Sequence, residues 1–407
     1  MKTANLNSRL NYLDAVRAFA LLLGIVFHAS LSFVPVFIGW AVMDISTSSS
    51  ILGFILVSHS FRMELFFLIA GFFSHMTFHR KGAGNFIGSR LMRIAIPFVA
   101  GWFILRPLIV SSWVMGGESM QGDVNVISGL KTGFQSLGQL PTDLLTGTHL
   151  WFLYYLLLIT AIVLVLRTVI SLMPGFYTSA TIRADRIVAW LANSRFSWLA
   201  VSLPTAACLW YMNNWGMDTP DKSLVPQLPV LLVYSGFFGF GWLLHRQKGL
   251  IECFSRITRS GVALCIVSVG LTLVLSAYQT DRGHPDWNLI RAGFAISYAI
   301  MMWSLVALSI GLFKRFFDKP SRFVQYIADA SYWLYLIHLP VVVWLQIAFA
   351  ELPLHWSLKL MSISLLTIGI SLVLYDLFVR STLIGKTLNG SKKQSVLFRW
   401  GQAAWSV

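Results

Sequence analysis

LDAVRAFALLLGIVFHASLSF, residues 13–33, carries three ionisable side chains, Asp14, Arg17 and His28, in a run otherwise apolar enough to cross a bilayer. A spanning helix needs about 20 such residues. Arg17 and His28 lie eleven positions apart, close to three helical turns. On a helix both therefore project from one face, separated by roughly 16 Å along the axis. Ionisable groups at membrane depth are costly to desolvate and are functional candidates by default. This first run thus reads as a membrane helix with a cation near one end and an imidazole near mid-depth.

Nine further runs match its length, giving expected spans near 14–36, 51–78, 94–114, 149–171, 197–213, 226–244, 260–279, 289–312, 330–350 and 358–379. The run at 197–213 is the weakest. Only 12% of the 407 residues are charged and mean hydropathy is +0.70, whereas soluble domains carry about 25% charged residues. The expected class is an all-α, polytopic integral membrane bundle of about ten transmembrane helices. Three cysteines without paired spacing suggest neither a disulfide framework nor a thiolate metal site. The apolar first run is too long for a signal-peptide core and lacks a small-residue cleavage site.

A net charge of +15 would suit nucleic acid, but its distribution argues otherwise. Alternate inter-span segments hold twenty-three Lys and Arg, and the intervening set holds three, Lys131, Lys222 and Arg282. That bias predicts an even number of spans with both termini cytoplasmic. The partner implied by the basic face is anionic membrane lipid, with no nucleic acid. The chain divides into a transmembrane domain, 1–385, and a basic cytoplasmic tail, 386–407, with Trp400 and Trp405 expected at the interface or disordered. The outer segment 115–147 is long enough to fold over the mouth of the bundle, and 184–191 is expected as a short interfacial amphipathic helix.

Several charges, among them Arg106, Arg291, Lys359 and Asp376, fall near span ends, where a long side chain snorkels or pairs. Arg17, Arg62 and Glu64 are deeper. Glu64 and His28 sit at matched depth, roughly 21 Å from the inner boundary on ideal helices, so Glu64 is expected to orient and charge-balance His28. Arg62 and Glu64 are two apart and face different neighbours, while His59 and Arg62 share a face. Together these groups suggest a polar cavity rather than a packing ion pair. His149 and His338 each lie in an apolar helix, and Pro340 frees a backbone carbonyl one turn back for His338 or a neighbouring polar group. Arg90 and Arg93 share a face at the inner entrance of the third span. They read either as topological anchors or as a guanidinium pair suited to phosphate. No motif argues for a metal.

The segments Leu13–Arg17 with His28, Phe66–Phe72, Arg90–Pro97, His149–Leu153 and Tyr335–Pro340 occur in an order that resembles the membrane acyltransferase-3 family across nearly the whole chain. Residues Leu22–Leu31 and Ser60–Met63 are most similar to a branch associated with succinylating osmoregulated periplasmic glucans. Ala70 departs from the family, which commonly has Ser there. The resemblance implies an O-acyltransferase of the bacterial inner membrane that uses acyl-CoA (succinyl-CoA or acetyl-CoA) as donor substrate, with no bound cofactor. The acceptor would be a periplasmic glycan, with glucan-synthesis machinery as a possible partner. In that scheme His28, Glu64 and Arg17 form the catalytic set. His28 acts as general base or transient acyl carrier. Arg90 and Arg93 meet the donor phosphates, Arg62 holds the thioester oxygen or an acyl carboxylate, and His149, Trp151, Tyr335 and His338 line the acceptor side. The alternative reading of the same residues is a transporter or flippase of an anionic or acylated solute.

Overall fold

The computed structural model describes residues 10–138, 148–194, 197–213, 215–247 and 249–396. Its helices are α1 (Asn11–Ser30), α2 (Ser50–Lys81), α3 (Ala83–Arg90), α4 (Ile96–Ser119), α5 (Val126–Gln135), α6 (Trp151–Ser171), α7 (Pro174–Asn193), α8 (Ser197–Trp210), α9 (Leu228–Arg246), α10 (Leu250–Phe254), α11 (Arg259–Tyr278), α12 (Trp287–Phe317), α13 (Arg322–Phe349), α14 (Trp356–Leu374) and α15 (Leu383–Asn389). A π-helical turn, Leu91–Ala95, joins α3 to α4. Nine segments among the described residues are long and apolar enough to span a membrane. The protein is therefore a multi-pass all-α membrane bundle.

The tenth expected span is the exception. Its helix, α8, has 14 residues with Pro204 inside, about 21 Å of helix against a hydrocarbon core of about 30 Å. It nevertheless carries the chain from one end of the bundle to the other. Trp198 meets Phe254 beside the inner loop, and the far end is held by Arg291, which donates to the carbonyls of Leu209 (3.0 Å) and Met212 (2.7 Å). Leu209 lies in the last turn of α8 and Met212 two residues past its end, so Arg291 holds the C-terminus of the short helix. The described ends of the chain meet at the same face of the bundle: the Asn11 amide donates to the Asp318 carbonyl, and Lys393 reaches Asp329 at the start of α13.

α1 lies centrally, against α2, α12, α13 and α14. Its central place explains why an apolar helix with ionisable side chains on one stripe is stable: the stripe faces the polar interior of the bundle and not lipid. The closest approach in the bundle is between α2 and α9. A Cβ on Gly71 would lie 1.9 Å from the Phe238 carbonyl oxygen, and one on Gly241 would lie 1.9 Å from that of Leu68. Small residues at such crossings let membrane helices pack backbone to backbone, which holds the lower half of α2 rigidly in place.

Three local expectations change. Lys359 does not snorkel: it is fully buried, with its ammonium 2.7 Å from an Asp44 carboxylate oxygen and 3.0 Å from the Ala350 carbonyl. The 184–191 segment belongs to a longer helix, α7, tied to α9 by a two-pronged Arg246–Asp185 pair. The outer segment 115–147 extends α4 and folds α5 back along it, with a Cβ on Gly133 excluded by the Pro107 carbonyl at 2.3 Å. Residues 139–147 lie outside the described residues, as do 1–9 and the tail beyond 396 that carries Trp400 and Trp405.

Candidate active site

A cavity of about 1290 Å³ runs along α1 between α2, α13 and the start of α6. At one end, the inner one by the expected charge bias, its wall contains Arg17, Arg80, Arg90 and Arg93. In the middle it contains His28, Arg62, His149 and His338. At the outer end Trp40, Trp113, His59, Thr219 and Asp221 close around it. One space thus connects a cationic mouth, a cluster of imidazoles and a polar-aromatic mouth.

Two prolines shape this wall. Pro340 has no N–H for the Leu336 carbonyl one turn back, and the His149 ring takes that acceptor instead, Nε2 to oxygen 2.8 Å. Nε2 is therefore the protonated nitrogen of His149. Its Nδ1 is buried without a hydrogen-bond partner. Pro97 likewise leaves the Arg93 carbonyl without its helical donor, and the Tyr332 hydroxyl donates to it at 2.6 Å. That vacancy coincides with the π-helical turn, a feature frequent at functional sites. Tyr335 donates to the His149 carbonyl at 2.6 Å, so α13 clamps the start of α6 from both sides. Thr148, immediately before, adopts φ +47°, a left-handed conformation uncommon for a non-glycine residue, and its N–H donates to the Asp221 carbonyl at 2.9 Å.

His338 lies with Nδ1 2.8 Å from the Tyr335 carbonyl and 3.1 Å from that of Leu334. Carbonyls only accept, so Nδ1 carries the proton and Nε2 a lone pair. The His338 ring centroid is 5.2 Å from that of His28 and 5.8 Å from that of His149. His28 stacks on the Trp40 indole, centroids 5.6 Å apart and planes within 18°. Gln346 holds both partners: its amide donates to the carbonyls of His28 (3.0 Å) and Ala29 (3.1 Å) and accepts from the Trp40 indole N–H (2.8 Å). These carbonyls belong to the last turn of α1, where few backbone donors remain. The end of α1 is thus pinned by one buried side chain of α13.

Arg62 is buried with its guanidinium 4.4 Å above the Phe27 ring, a cation–π contact. Space for it comes from Gly24, where a Cβ would lie 3.3 Å from Nη1. That Nη1 has no hydrogen-bond partner. A buried guanidinium with an unused donor beside an imidazole suits an anionic or carbonyl oxygen of a ligand. At the outer mouth His59 bonds Thr219 at 2.8 Å, and burial pushes the Asp221 carboxyl above the usual carboxylate range, with Lys222 opposing.

At the inner mouth Arg90 donates to Ser74 at 2.7 Å and lies over the Phe86 ring. Arg17, partly exposed, pairs with Asp14 at 3.4 Å. Trp151 stacks on Tyr234 while also touching the cavity.

Nine of the ten residues singled out from sequence line the same space, and Glu64 does not. It lies fully buried on the opposite side of α2, where Tyr234 and Tyr298 neighbour it, and neither carboxylate oxygen has a hydrogen-bond partner. The expected pairing with His28 rested on depth alone. Two residues of helix turn a side chain through about 200°, so with Arg62 facing the cavity Glu64 must face away. Trp40 and Gln346 went unnoticed in sequence. Gln346 carried a signal, being an amide inside an apolar span, whereas a tryptophan in an interhelical loop carried none.

The chain belongs to a family of membrane acyltransferases: the acyltransferase domain model of the acyltransferase-3 family matches residues 10–376. Among curated proteins it is similar to the glucans biosynthesis protein C of Escherichia coli (strain K12), 24% identical over 394 residues, 93% of this chain and 94% of the relative. The protein of the same name from Salmonella agona (strain SL483) is 24% identical over 398 residues, with the same coverage. No solved structure matches the chain.

Proposed function

We propose that this protein transfers an acyl group, succinyl in the first instance, from cytoplasmic acyl-CoA to a hydroxyl of a periplasmic glucan. The site belongs to the bacterial inner membrane, with both termini cytoplasmic. The single observation that carries this is the continuous cavity, cationic at one end and open to polar and aromatic groups at the other, with His28 between them. The donor phosphates meet Arg90 and Arg93, and Arg17 lies just inside. The thioester carbonyl reaches Arg62, whose guanidinium donates to the oxygen as it gains charge.

His28 removes the proton of the acceptor hydroxyl while that oxygen bonds the acyl carbon. The carbon–sulfur bond then breaks, and His28 returns the proton to the departing thiolate. An ester and free CoA result, with no net proton change. His338 and His149 present lone pairs toward the same space and position the acceptor. The names of the relatives support the glucan acceptor; the succinyl group is the narrower part of the proposal.

The test is mass spectrometry of periplasmic glucans from cells lacking the gene, complemented with wild type or His28→Ala at equal membrane expression. The expected result is a succinyl mass added by wild type and absent with the variant. Equal addition by both would remove His28 from the chemistry. No addition by either would exclude glucans as acceptor and favour movement of a solute through the same cavity.

A further inference from the structure

The chain does not leave the bundle after its last span. Arg380 donates to the Gln394 carbonyl at 2.7 Å and accepts the Lys393 N–H at 2.9 Å through its own carbonyl. Asp376 accepts from the Ser395 hydroxyl and from the Val396 N–H at 3.0 Å. These bonds fold residues 383–396 back under α13, and Leu388, Asn389, Ser391 and Lys393 join the wall of the cavity at its inner mouth. The basic tail, expected to be separate from the membrane domain, is partly built into it.

Two contacts make the fit specific. Gly390 ends α15 at φ +81°, ψ 0°, and a Cβ there would lie 1.6 Å from Nη2 of Arg93. The Arg93 guanidinium therefore lies directly over the glycine, and the tail determines where it points. Lys393 lines the same mouth, its ammonium 2.5 Å from an Asp329 carboxylate oxygen, with about a third of its side chain exposed (34%). Cations from two distant parts of the chain, Arg90 and Arg93 before α4 and Lys393 after α15, thus converge on one opening. Asp329 already pairs with Lys393, so a phosphate would share that ammonium, while the Arg90 and Arg93 guanidiniums suit bidentate contact with phosphate oxygens.

We propose that the tail segment 383–393 is part of the donor site, with Lys393 binding a phosphate of the thioester donor and Gly390 setting the position of Arg93 for a second. This rests on the acyl-CoA reading above and names residues that reading did not contain. The phosphate belongs to the donor rather than to a lipid headgroup, because the group lies at the mouth of the cavity that leads to His28.

The experiment measures binding of CoA and of pantetheine, which lacks the phosphates, to the purified full-length protein in lipid-free detergent and in phosphatidylglycerol nanodiscs. Lys393→Gln is expected to weaken CoA binding about five- to tenfold and leave pantetheine unchanged, while Lys393→Arg restores most of it. Gly390→Ala is expected to weaken CoA similarly by displacing Arg93. Its control is Gly249→Ala, at φ 84°, ψ −9° with only Glu252 at 3.4 Å, which carries the same backbone strain and is expected to bind as wild type. Equal weakening of both ligands, or of neither, would overturn the assignment. So would a Lys393→Gln defect that appears only with phosphatidylglycerol, which would give the cation to lipid. Failure of wild type to bind CoA at all would instead overturn the donor reading itself.

Discussion

Lys359 and Arg62 are both cations buried in membrane helices, and they are treated in opposite ways. Lys359 is fully enclosed, its ammonium satisfied by the Asp44 carboxylate and the Ala350 carbonyl, while Asp44 also accepts the Ser46 N–H. It does not line the central cavity. Arg62 rests on the Phe27 ring with Nη1 unpartnered, next to a cavity and three imidazoles. A buried charge whose partners are all protein groups fastens elements together, here the 34–49 loop to α13 and α14. A buried charge with an open donor is held ready for something that arrives.

The sharpest break of that comparison is at the site itself. His28→Ala is expected to lower acyl transfer by about 10²- to 10⁴-fold with thermal stability near wild type, read from glucan acylation and from unfolding in detergent. Stability collapse as the main effect would make His28 a packing residue. Next in size is Lys359→Met, which strands the Asp44 carboxylate and is expected to destabilise by about 3–5 kcal/mol. The double variant Lys359→Met, Asp44→Leu should recover most of this, since an apolar pair replaces an ion pair with little loss. If the double variant is no better than the single, the pair is not the reason Lys359 is buried.

Arg62→Met inverts the pattern. Removing an incompletely satisfied guanidinium should leave the unfolding temperature unchanged or higher, while transfer falls about 10²- to 10³-fold. A stability loss as large as that of Lys359→Met would erase the distinction between the two cations. The smallest effect is expected from Pro340→Ala. The restored N–H competes with His149 for the Leu336 carbonyl, so transfer should drop several-fold while the α13 helix gains a hydrogen bond. Unchanged transfer would mean that the His149 bond survives the competition.

The comparison also marks what was legible in the sequence. Arg17, His28 and Arg62 stood out because an ionisable residue in an apolar run has few innocent explanations. The same criterion flagged Glu64 and Lys359, and it could not sort them. Depth along a span follows from counting residues, but azimuth matters equally. Glu64 matches His28 in height and still faces Tyr234 and Tyr298, on the far side of α2. Lys359 near a span end could equally have reached water; its partner Asp44 is 315 residues away in the chain. The short α8 shows the converse, since apolar length alone under-describes a helix whose end is held by a distant arginine.

The sequence by itself determined the class of the protein, the spans and the ends at which charge accumulates. Those follow from single-residue transfer energies summed over about 20 positions, and need no partner to be known. It also determined that Pro340 leaves a carbonyl without a donor, because a missing N–H is a property of the residue; the same consequence at Pro97 was seen only in the structure. Only the tertiary structure decided who answers: His149 from α6 and Tyr332 from α13. It decided likewise that Gln346 joins Trp40 to the end of α1, that Glu64 turns away, and that residues 388–393 close under the inner mouth. Each of these is a contact between segments far apart in the chain, set by packing geometry, and no local pattern encodes it.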